Sequence, residues 1–153
     1  MDTICDYLLL DHQRCDELFT RAENHISQKN WQDGDASFRL FHDALKQHMR
    51  MEEKILFPAF EQAIRNSEGP LSMLRMEHGQ IRGMVNRMSD AVARMDLVEF
   101  LIHSETYTLL QQQHSMKEEE MLYPLLDKIL FLSAKRDQIL HAMAEFREPS
   151  ASN

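Results

Sequence analysis

His48-Met49-Arg50-Met51-Glu52-Glu53-Lys54-Ile55-Leu56-Phe57-Pro58 is answered 66 residues later by His114-Ser115-Met116-Lys117-Glu118-Glu119-Glu120-Met121-Leu122-Tyr123-Pro124. Residues i and i+4 share one face of an α-helix, so each stretch sets a histidine and a glutamate on the same side of its helix. Each pair is preceded, 36 residues upstream, by a histidine that follows an acid, Asp11-His12 and Glu77-His78. A helix pair that occurs twice predicts an all-α four-helix bundle. His12, His48, Glu52, His78, His114 and Glu118 then supply four imidazoles and two carboxylates, the donor inventory of a two-metal site inside such a bundle.

The flanking sequence gives the four helices their limits. The first is expected from Asp2, as N-cap, to about Gln28, with Leu8, His12, Cys15, Phe19, Ala22 and Ile26 on one stripe. Asn30 to Gly34 should break it. The second is expected from Asp35, burying Phe38, Phe41, Leu45, His48, Glu52, Ile55 and Ala59 and ending by Asn66 to Gly69. Pro70 suits the first turn of the third helix, whose stripe is Leu74, His78, Ile81, Val85, Met88 and Val92. Asp96 and Glu99 form a capping box for the fourth, which continues through Tyr107, His114, Glu118, Met121 and Leu125. The pattern allows a short fifth helix after Ser133. Residues 1–147 read as one domain, and Glu148 to Asn153 as a frayed tail. Pro58 and Pro124 each lack an N–H and crowd the carbonyl four residues back, which either loosens the helix past each glutamate or ends it.

Bulk properties agree with a single helical domain. The chain has 153 residues, near the usual domain size, and only four Gly and four Pro, a composition favouring helix. A formal charge of -8 and a pI near 5.4 argue against binding nucleic acid or anionic membrane surfaces. The first residues lack the basic start and apolar core of a signal peptide, and no run of about 18 apolar residues occurs, so a cytoplasmic location is expected. Cys5 and Cys15 lie about 15 Å apart along one helix, beyond the roughly 7 Å reach of a disulfide. Both are expected as free thiols, with Cys15 packing in the core.

The helical wheel places His48 and Glu52 in the stripe of Phe41 and Leu45, so a carboxylate enters the bundle interior. An uncompensated buried carboxylate would protonate or pull its helix out. A cation compensates both halves at once, and a nitrogen and oxygen donor set without thiolate favours iron or manganese over structural zinc. His141 and Glu145 share the i, i+4 spacing without the upstream histidine and read as solvated surface. His25 and His42 fall on other faces, and His103 lies some 16 Å along the axis from His114. Glu53, Glu119 and Glu120 read as solvated charge, and the eleven methionines mostly as gap-filling core.

Asp11-His12, His48-x-x-x-Glu52-Glu53 with Leu56-Phe57-Pro58, Glu77-His78, and His114-x-x-x-Glu118-Glu119 with Leu122-Tyr123-Pro124 resemble the hemerythrin-like, HHE cation-binding family. The resemblance covers about residues 5 to 130. It implies an up-down-up-down bundle with a non-haem di-iron centre, oxo- or hydroxo-bridged, with Glu52 and Glu118 bridging, His12 and His48 on one iron and His78 and His114 on the other; manganese or zinc are the alternatives. Oxygen-carrying hemerythrins place a second histidine one turn from that of the third helix, where this chain has Leu74 and Arg82. The pattern is more similar to the four-histidine, two-glutamate centres of iron-sulfur repair proteins. The expected function is binding or turnover of dioxygen, nitric oxide or peroxide in oxidative or nitrosative stress or iron homeostasis. The alternatives are an iron donor that repairs iron-sulfur clusters and a metal-stabilised sensor or interaction domain. A homodimer through an apolar helix stripe is compatible with the sequence.

Overall fold

Thr3 opens the first helix, its hydroxyl accepting the Asp6 N–H at 3.0 Å; Asp2 lies outside the residues described by the computed structural model, 3–130 and 134–147. The next orphan donors of α1 (Ile4–Ser27) are met from the far end of the chain. The Asp127 carboxylate accepts the Ile4 and Cys5 N–H groups at 2.8 and 2.9 Å, which satisfies backbone donors that have no partner within the helix.

The break after α1 is shorter than the sequence suggests. Lys29 takes a left-handed conformation (φ 59°), and α2 (Trp31–Met51) starts directly after Asn30, not at Asp35. Gly34 therefore sits inside α2 and is buried. A Cβ there would fall 2.7 Å from Ile26 Cγ1, so the glycine serves the close approach of α1 and α2 and not the turn. Past the loop at Asn66 (φ 62°), α4 (Glu68–Ala93) carries Pro70 in its first turn as expected. Asp96 caps α5 (Leu97–Lys117) by accepting the Glu99 N–H at 3.1 Å. The reciprocal half of the capping box is not made: the Asp96 N–H goes to the Ala91 carbonyl, and the Glu99 carboxylate pairs with His103.

Both prolines loosen their helices and end neither. A π turn at Glu52–Leu56 joins α2 to α3 (Phe57–Ala63), and a second at Glu118–Leu122 joins α5 to α6 (Tyr123–Ile129). The Phe57 and Tyr123 N–H groups reach back five residues to the Glu52 and Glu118 carbonyls, so each proline enters where the helix has already widened. A π turn carries an extra residue, so everything downstream is rotated by about 100° relative to a straight helix. Leu56, Phe57 and Phe60 are buried in place of Ile55 and Ala59, and Leu122, Tyr123 and Leu126 in place of Met121 and Leu125. Met121 is 69% exposed.

The four long helices close a ring, α1 against α2, α2 against α4, α4 against α5 and α5 against α1, and α7 (Ala134–Glu145) packs beside it, burying Met143. Ser133 and the tail expected at 148–153 lie outside the described residues. The interior has two apolar layers. One is built on Phe19, Phe38, Phe41, Ile81, Met88 and Phe100; the other, nearer α7, is built on Leu8, Leu56, Phe57, Leu74, Leu126 and Met143. Between them lies a layer of ionisable side chains. The methionines are not mainly core: Met73, Met76, Met95, Met116 and Met121 are exposed. No helix among the described residues is long and apolar enough to cross a membrane.

Candidate metal centre

Four helices each deliver one histidine to the ionisable layer. His12 from α1, His48 from α2, His78 from α4 and His114 from α5 are all buried, and Glu52 and Glu118, on the first turns past α2 and α5, are fully buried. Donor atoms of His12, His48, Glu52 and Glu118 lie within 4.8 Å of one another, and so do those of Glu52, His78, His114 and Glu118. The two groups of four share both glutamates. All six residues singled out in the sequence are thus brought to one place.

The inward atoms are short of partners. His48 Nε2, His114 Nε2 and Glu118 Oε2 are buried with no hydrogen bond, an arrangement costly for polar atoms unless something else binds them. His78 Nε2 lies 3.1 Å from Glu52 Oε1, and the Nε2 atoms of His12 and His114 lie 3.4 and 3.3 Å from Glu118 Oε1. These contacts set the basicity of the groups. Burial pulls His12 and His78 down, but their hydrogen bonds to Glu118 and to Glu52 and Glu53 outweigh it and lift both to about 9. Burial would raise Glu118, yet its hydrogen bonding with Glu52 and the charge of His114 hold it well below the usual carboxylate range. A compact set of imidazole nitrogens and carboxylate oxygens, three of whose inward atoms are buried without a hydrogen bond, fits cations such as iron or manganese.

A second ring of acids stands behind the histidines. Asp11 Oδ2 lies 2.6 Å from His48 Nδ1, Glu77 Oε1 2.9 Å from His114 Nδ1, and Glu53 Oε2 2.7 Å from His78 Nδ1. Such carboxylate–imidazole bonds fix the tautomer and aim Nε2 inward. Glu53 is therefore not solvated charge; Arg82 grips it with two 2.8 Å bonds and Arg50 with one of 3.0 Å. Burial would raise its carboxyl, but His78 and Arg82 hold it far below the carboxylate range. Glu119 approaches His12 Nδ1 only to 3.7 Å, and Glu120 is exposed as expected. The repeat carried the signal for these acids, since Asp11 recurs as Glu77 and Glu53 as Glu119.

Tyr123 is the other residue the sequence reading passed over. The second π turn swings it fully inside, where its hydroxyl donates to Glu52 Oε2 at 2.5 Å and stands 3.0 Å from Glu118 Oε1 and 3.2 Å from His12 Nε2. Burial and the charges of Glu118 and Glu52 push its phenol well above the normal value, so it keeps its proton. Its counterpart in the first repeat, Phe57, stacks on His78 with ring centroids 5.5 Å apart. Cys15 is buried, and burial drives its thiol up to about 12, in keeping with core packing. His141 and Glu145 form an exposed ion pair, and His103 pairs with Glu99 at the start of α5.

A family model described as the hemerythrin HHE cation-binding domain matches residues 3–126, a span that contains all six convergent donors. No curated protein and no solved structure matches the chain.

Proposed function

Because this chain belongs to the hemerythrin HHE cation-binding domain family, we propose that it is a non-haem di-iron protein that binds or reacts with a small oxidant, dioxygen, nitric oxide or peroxide. His12 and His48 would hold one ion and His78 and His114 the other, with Glu52 and Glu118 reaching both. The observation that carries this reading is the pair of four-residue groups sharing those two glutamates. One ion would leave the second group of donors uncompensated in an apolar interior. Iron held by two imidazoles and shared carboxylates supplies a one-electron redox change and an exchangeable position.

The chain's own residues do the rest. Asp11, Glu53 and Glu77 each hold the Nδ1 of an imidazole, which leaves Nε2 as the nitrogen aimed inward and makes it a stronger donor. The apolar layers above and below exclude bulk water, which favours small uncharged ligands over anions in exchange. Tyr123 retains a proton beside Glu52 and can offer it as a hydrogen bond to a ligand between the glutamates. On this reading a domain spanning residues 1–147 works in the cytoplasm, in oxidative or nitrosative stress or iron homeostasis.

Metal analysis of protein purified without chelator, with optical spectra after anaerobic reduction and after air, nitric oxide or peroxide, tests the reading. About two irons per chain and new charge-transfer bands with one of the three oxidants are expected. A protein that binds no metal, or a loaded protein whose spectrum ignores all three, overturns it.

A further inference from the structure

The two halves of the site are related by the internal repeat, and at one point the relation fails. His78 is held from behind by Glu53, itself fixed by the bidentate Arg82 and by Arg50. The repeat-equivalent of His78 is His12, of Glu53 is Glu119, of Arg82 is Asp16 and of Arg50 is Met116. One cation has become an anion and the other an exposed apolar side chain. Among the described residues no lysine or arginine lies within ion-pairing distance of Glu119, and only His12 itself approaches it, at 3.7 Å. The Glu119 side chain is 32% exposed against 13% for Glu53, and His12 Nδ1 is buried without a hydrogen-bond partner. The other two histidines show no such difference: Asp11 behind His48 is paired with Arg14, and Glu77 behind His114 is paired with Lys117.

A carboxylate on the far nitrogen orients a metal-binding imidazole and strengthens it as a ligand, and losing that support weakens metal affinity by roughly 10- to 100-fold. We propose that the two metal positions are inequivalent: the one on His78 and His114 is firmly held, and the one on His12 and His48 is the exchangeable position, because the Glu119 carboxylate is not clamped against His12. Glu53 is the positioning residue of the firm half, and Asp16 is the residue that leaves the other half loose. The inference rests on the two-ion reading above and adds an order of release to it.

The test is metal release, independent of any reactivity. Protein loaded anaerobically with two equivalents of ferrous iron is mixed with excess bipyridine chelator, and the coloured complex is followed in time. Two phases of equal amplitude are expected, with rates roughly 10- to 100-fold apart. Glu53→Gln should bring the slow phase up towards the fast one, and Arg82→Gln, which leaves the Glu53 carboxylate in place, should do so in part. Glu119→Gln should leave both rates nearly unchanged. Asp16→Arg builds the missing clamp and should slow the fast phase, a gain that general loosening of the fold cannot produce. Release of both equivalents in one phase, or a fast phase that Asp16→Arg does not slow, overturns the inference while leaving the di-iron reading intact. Failure to load two equivalents sinks that reading itself.

Discussion

The apolar layers and the ionisable layer between them obey opposite rules. Around Phe41, fully buried against Phe19, Phe38 and Tyr107, stability comes from filling space, and any group of the right shape does the work. Around Glu52 and Glu118, equally buried, shape is secondary, and each carboxylate is tolerable only because several partners neutralise it. A bundle this size could be stabler with leucines throughout. The contrast teaches that the middle layer is retained for what it binds.

Glu52→Ala should break the contrast most visibly. It removes an oxygen donor from both groups of four, so metal affinity should fall by more than the roughly 100-fold that loss of a supporting hydrogen bond can cost. Equilibrium dialysis against iron or manganese measures this, and retention of both ions at wild-type affinity would show that Glu52 is not shared. Phe41→Ala should do the reverse. It should cost about 3–5 kcal/mol in denaturant unfolding, and Leu122→Ala about 2–5 kcal/mol, while the protein that remains folded keeps its full complement of metal.

Acidity sharpens the same comparison, because only the middle layer titrates. In the metal-free protein His12 and His78 titrate at about 9 when folded, against 6.5 for an ordinary imidazole. Their protonated forms, facing Glu118, Glu52, Glu119 and Glu53, therefore add stability that is complete below about pH 6.5 and is lost as pH rises through about 9. Metal binding requires the neutral rings, so affinity should climb across that window as apoprotein stability declines. Thermal melts of the metal-free protein at several pH values, paired with metal titrations, check this. Apoprotein stability that rises between pH 6.5 and 9 would contradict the geometry.

Much of this was legible in the chain, up to a definable point. From Leu8 to Ile26, from Phe38 to Glu52 and from Leu74 to Val92 a 3.6-residue period names the buried face correctly, because those stretches are regular helix. Beyond Glu52 and Glu118 the same period picks Ile55, Ala59, Met121 and Leu125, and the structure buries their neighbours, because a π turn shifts the phase and only Pro58 and Pro124 hint at it. The six donors could be found because the repeat doubles them. The acids behind them were harder, since Glu53 is rotated off the ligand face of its own helix. It reaches His78 only because α4 lies alongside, and that is a fact of packing which spacing within one helix does not contain. Gly34 misled for the converse reason: a residue that usually punctuates was needed for a close contact.

The smallest expected effect is also the cleanest probe of that phase shift. On a straight helix Met121 would follow His114 and Glu118 onto the buried stripe, and truncating it would cost as much as any core deletion. With the π turn in place Met121 is 69% exposed and Leu122 is buried at 5%. Met121→Ala should therefore change unfolding free energy by no more than about 0.5 kcal/mol, the range of ordinary surface substitutions. Leu122→Ala, one residue on, supplies the contrast, because it empties space in the layer beneath the glutamates. Equal losses at the two positions, or a larger loss at Met121, would mean that the helix runs straight through Glu118. In that case Tyr123 would not reach the carboxylates, and the ionisable layer would lack the hydroxyl now placed between Glu52 and Glu118.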